Sequence, residues 1–148
     1  MMKVDSFIKC GDKFVNVVGF NEVLKDADYI EGAMVLTINY VEIIDTSMWD
    51  YIDQLWIYFL NGLIEFNSGN DVVFYFPDQP IKVTMKHVNG RVLFKVGDVG
   101  VIAEKRDFII FMTTECLEFL KVMMDKNGSP DYGVEIKMAS DFLLSIRC

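Results

Sequence analysis

Residues 72–96 constrain the fold more than any other segment, because two turns within them specify strand register independently. The run VVFYF ends at PDQP, which carries two of the chain's three prolines, and IKVTMKHV follows. With PDQP as a four-residue connection, Phe76 falls opposite Ile81, Phe74 opposite Val83, and Val72 opposite Met85. The next turn is Asn89-Gly90, the strongest short hairpin signal, and it leads into RVLFKV. It sets His87 opposite Val92, Met85 opposite Phe94, and Val83 opposite Val96. Both turns put the same large apolar side chains on one face; a slip of one residue would send them all to solvent. Pro77 presets φ at the first corner position, Asp78 suits the next, and Pro80 keeps Gln79 extended. The segment reads as a stiff corner that fixes register, in preference to a functional loop.

The opposite face of this meander carries Tyr75, Lys82, Thr84, Lys86, Arg91, Leu93 and Lys95. A solvated sheet face ordinarily bears lysine and threonine. The other reading is a surface for an anionic partner or for self-association. A row of stacking aromatics, as on a single-strand nucleic-acid platform, is missing.

Trp49, Ile52, Trp56, Phe59, Leu63 and Phe66 recur at helical spacing, predicting an amphipathic helix over Trp49–Phe66. Asp45, Thr46 or Ser47 can cap its start, and Gly69 is placed to end it. A second helix is predicted through DFIIFMTTECLEFLKVMMDKNG, burying Phe108, Met112, Cys116, Phe119 and Met123. Two short strands flank a turn at Gly11-Asp12; NEVLKDADYI reads as a loop or one helical turn. EGAMVLTINYVEII reads as one full strand and GVIAEKR as another. Residues 131–148 are ambiguous between a strand followed by a helix and a broken helix. The expected architecture is α+β, one domain over 1–148, with a mostly antiparallel twisted sheet of about six strands and two helices on one face.

The 148 residues are 52% hydrophobic and 14% aromatic, so a core can form without disulfides or metal, and disorder is excluded. Three cysteines, an odd number without C-x-x-C spacing, argue against a disulfide framework and against structural zinc. The N-terminus offers no apolar h-region, and the longest apolar run, LWIYFL, is far short of the ~20 residues that span a bilayer. The expectation is a reducing, cytoplasmic location without membrane contact. A net charge of −8 argues against nucleic acid as the main ligand. It is compatible with a basic protein partner, while simple solubility is the commoner reason for a charge of this size.

Catalytic equipment is sparse. The single histidine, His87, reads as a core or rim residue. Asp53 borders the apolar arc of the first helix and reads as a buried, hydrogen-bonded acid before a catalytic one. No glycine-rich phosphate cradle or calcium loop appears. No catalytic residue, cofactor or metal is expected.

The order EGAMVL, WDYIDQLW, FPDQP, the Asn-Gly hairpin and DFIIFMTTECLEFL, from Glu31 to Met123, resembles a group of small bacterial proteins of unknown function. That resemblance implies a small α+β fold and supplies no activity. The overall profile is also similar in type to immunity proteins paired with bacterial toxins, which are often small, acidic and cytoplasmic.

The leading functional expectation is a non-catalytic inhibitor that masks a basic partner. Its docking surface is expected at Asp50, Tyr58, Asn61 and Glu65, an acidic-aromatic strip on the first helix with Tyr58 as anchor. Two alternatives stand beside it. One is a structural protein that self-assembles through the basic sheet face. The other is a small-ligand carrier or enzyme with a pocket lined by methionine and aromatic residues.

Overall fold

In the computed structural model, which describes residues 1–147, the meander has the predicted register. Strands β6 (Val72–Tyr75), β7 (Lys82–Val88), β8 (Arg91–Val96) and β9 (Val99–Glu104) form a four-stranded antiparallel sheet in that order. The Phe76 N–H donates to the Ile81 carbonyl at 3.0 Å, closing the proline corner, and Asn89 and Gly90 both have positive φ. Val83, Met85, Val92, Phe94 and Val96 are fully buried on the inner face, as the two turns require.

The remaining strands form a second sheet, so the α+β class is as expected while the strands divide into two groups. Its order is β2 (Lys13–Asn16), β1 (Met2–Cys10), β3 (Glu31–Ile38), β4 (Val41–Ile44), with the short β5 (Asp50–Tyr51) also beside β3. The stretch read as one strand, EGAMVLTINYVEII, is a hairpin. Asn39 and Tyr40 turn it with φ of 50° and 68°, the double left-handed geometry of a tight two-residue turn. Asparagine tolerates that conformation, but tyrosine at the second position gives no sequence signal for it.

The first helix, α1 (Ile52–Asn67), begins three residues later than the apolar spacing implies. Asp45 caps a separate 3-10 turn over Thr46–Met48, accepting from the Ser47 N–H at 2.9 Å. Trp49 and Asp50 are therefore outside the helix, and the Lys9 ammonium lies 4.5 Å above the Trp49 ring. Gly69, at φ 110°, follows the helix end as expected. Helix α2 (Lys105–Met124) buries the predicted stripe, with Phe108, Met112, Cys116 and Met123 wholly inaccessible. The ambiguous C-terminal stretch is a third helix, α3 (Gly133–Arg147).

One continuous core joins both sheets and the helices. Trp56, fully buried, stacks on Phe119 at 5.9 Å and donates from Nε1 to Ser6 Oγ at 2.9 Å. Gly32 lets β3 pass under α1: a methyl group there would stand 2.2 Å from the Phe7 carbonyl oxygen and 2.8 Å from Ile52. Gly62 does the same for α1 over β6, where a methyl group would lie 3.1 Å from the Phe74 ring. No helix among the described residues is long and apolar enough to cross a membrane.

Candidate functional site

Three of the four predicted docking residues, Tyr58, Asn61 and Glu65, are exposed together on one flank of α1. Tyr58 meets the Phe74 ring edge-on at 6.3 Å, which places this flank beside β6. Asp50 does not join them. It is 2% exposed, and its carboxylate accepts from the backbone N–H groups of Tyr51, Asp78 and Gln79. The physical reason is the late helix start: Asp50 is a strand residue aimed at the proline corner. Glu65 is then the one exposed charge on α1.

Asp53 is buried and hydrogen-bonded, as its position on the apolar arc implies. Its Oδ2 accepts from the Tyr132 hydroxyl at 2.7 Å and its Oδ1 from the Gln54 N–H at 2.9 Å. Burial raises the Asp53 pKa, opposed by these hydrogen bonds. Burial and the adjacent carboxylate raise that of Tyr132. The pair ties the start of α1 to the residue preceding α3. His87 is a rim residue: its ring lies 3.9 Å from that of Phe66, nearly parallel. Nε2 is 3.1 and 3.2 Å from the Phe66 and Asn70 carbonyls, so that nitrogen carries the proton and donates. Among the described residues no cluster of histidine, cysteine and carboxylate side chains could hold a metal ion.

A cleft is built by NEVLKDADYI, the stretch expected to be a loop or one helical turn. Leu24 and Ile30 anchor it in the core. The Leu24 N–H donates to the Asn127 carbonyl at 2.9 Å, and the Lys126 ammonium to the Phe20 carbonyl at 2.7 Å. Gly128 approaches Leu24 so closely that a methyl group would sit 2.5 Å from its carbonyl oxygen. The clamped loop walls a cleft of about 550 Å³ whose lining includes Glu22, Asp26, Tyr29, Glu31 and Tyr51.

Tyr29 and Tyr51 are paired at its mouth, 5.3 Å between ring centroids. Burial, then the negative charges of Asp78 and Glu31, raise the Tyr51 hydroxyl pKa. Aromatic faces beside carboxylates attract cations. Lys9 and Lys25 also line the cleft, with the Lys9 ammonium engaged above Trp49. The signal for this site was present in DADYIE, where acids flank a tyrosine, but its partner Tyr51 is distant in sequence.

On the far side of the four-stranded sheet, Lys82, Lys86, Arg91 and Lys95 are exposed. The ion pairs found among the described residues, Lys3 with Asp5 and Lys137 with Asp141, leave all four unpaired.

No protein-family model matches the chain, nor does any curated protein or solved structure.

Proposed function

We propose that this protein is a non-catalytic binding protein that masks a basic protein partner, in the manner of an immunity-type inhibitor. The supporting observation is the Tyr29–Tyr51 pair in a cleft whose lining includes Glu22, Asp26 and Glu31, with the negative charge of Asp78 also acting on Tyr51. Exposed tyrosine supplies rigid contact area, and cationic side chains gain from both the ring faces and the carboxylates. A chain of net charge −8 also draws a basic partner into encounter from a distance. The centre of docking is therefore the cleft mouth rather than the α1 flank.

The test is capture from source cells and culture fluid with two baits, the wild type and a Glu31→Lys, Asp78→Lys variant, each washed at low and then high salt. A stoichiometric basic protein held by the wild type, released by salt and lost from the variant is the expected result. Equal retention by both baits would move docking away from the cleft. Recovery of the wild-type bait alone would remove the inhibitor reading.

A further inference from the structure

We infer that the free edge of β6, beside the Tyr58 flank of α1, accepts an extended segment of a partner protein as an added strand. This surface is separate from the cleft and does not depend on the basic-partner reading.

The argument begins with hydrogen-bond parity. In an antiparallel ladder, alternate residues bond to the same neighbour. The Phe76 N–H bonds to Ile81, and with this register Phe74 and Val72 also turn their backbone groups toward β7. Val73 and Tyr75 therefore direct their N–H and C=O groups outward, where no strand of the described residues lies. Both side chains are exposed too, at 53% and 54%.

Two other sheet edges each have an outward carbonyl capped. The Gly97 N–H bonds to the Lys82 carbonyl, and the same counting places the Ile102 backbone groups on the outer edge of β9. There the Asn39 side chain, from the tip of the β3–β4 hairpin, donates to the Ile102 carbonyl at 3.1 Å. At the outer edge of β2, the Asn16 carbonyl is taken by the Gly19 and Phe20 N–H groups, both at 3.0 Å. Proteins commonly blunt sheet edges in such ways. Among the described residues, the outward groups of Val73 and Tyr75 on β6 have no comparable cover.

The surroundings select the occupant. Gly62 seats α1 directly over Phe74 and Val72, and Tyr58 overhangs the same ring. A second copy adding its own β6 would set two helices over strands about 4.8 Å apart, whereas packed helices need about 8–10 Å. A lone extended segment brings no helix and fits. Its outward side chains would meet Val73 and Tyr75, and its inward ones would run under the flank that ends in Glu65. Apolar residues alternating with a cationic one complement that surface, the strand-addition mode of peptide recognition.

The test uses a short blocked peptide alternating valine with arginine, read by amide hydrogen exchange. The expected result is roughly tenfold slower exchange at Val73 and Tyr75, without protection at Ile102. Val73→Pro removes an outward N–H and leaves the β7 ladder intact, so it should fold and lose the peptide. Should that variant not fold, Glu65→Lys should still weaken peptide binding about tenfold. Protection at neither residue, binding unchanged in Val73→Pro, or equal binding of a peptide with glutamate replacing arginine would overturn the proposal. Concentration-dependent protection without peptide would assign the edge to a second copy and overturn it as well.

Discussion

The carboxylate of Asp50 holds the proline corner through Gln79, whose N–H it accepts at 2.9 Å, and through Asp78, whose N–H lies 3.1 Å from both carboxylate oxygens. The Gln79 side chain returns the contact, donating to the Trp49 carbonyl. A buried carboxylate without a cation is tolerated here because consecutive backbone N–H groups converge on it. The two prolines stiffen the corner, and Asp50 fastens it to the other sheet.

Asp50→Ala should therefore destabilise the protein by about 2–4 kcal/mol, since it strands several buried donors at once. Asp50→Asn, which keeps one acceptor oxygen, should cost about half as much. Urea denaturation measures both. A loss below about 0.5 kcal/mol for the alanine variant would place the corner's rigidity in the prolines alone.

The Asp53–Tyr132 pair makes a pH prediction. Burial raises the Asp53 pKa above its ordinary 3.8, so the folded state holds that proton more tightly than the unfolded chain. Its contribution to stability is full below the unfolded value and is lost as pH rises through the raised one. Asp53→Asn should flatten the stability profile across that window. Denaturation midpoints from mildly acid to neutral pH would show it; identical slopes in both proteins would contradict the assignment.

Tyr132→Phe removes a hydroxyl that lowers the Asp53 pKa, and leaves the carboxylate with backbone donors. The expected loss is about 1–3 kcal/mol at neutral pH, shrinking as Asp53 becomes protonated. A loss independent of pH would mean that the hydroxyl acts through packing only.

Cysteine reactivity should follow burial. The Cys116 thiol is fully buried in α2, donates to the Trp56 carbonyl, and has its pKa pushed up to about 12 by burial. Cys10 is half-buried and lines the cleft. Alkylation mapped by mass spectrometry should label Cys10 in the native protein and Cys116 only after unfolding. Early labelling of Cys116 would show that α2 opens locally.

The meander was legible because two turns with strong local chemistry gave the same register, and both predicted helical stripes are buried except at Trp49, which lies half-buried outside α1. The hairpin at Asn39-Tyr40 was hidden by a tyrosine in a conformation that glycine usually supplies. The start of α1 was misplaced because Trp49 continues the apolar period outside the helix, and Asp50 went with it to the wrong surface. The cleft was only partly legible for a different reason: DADYIE sets acids around Tyr29, but Tyr29 meets Tyr51 only through the pairing of β3 with β5, a long-range arrangement without a local pattern.

The most direct test of the central claim is hydrogen exchange of the protein alone and bound to its captured basic partner. Protection is predicted over residues 22–31 and 50–52, which carry the cleft's acidic and tyrosine lining, and over 77–79, where Asp78 acts on Tyr51. Protection confined to the outer face of the four-stranded sheet, with those segments unchanged, would contradict it.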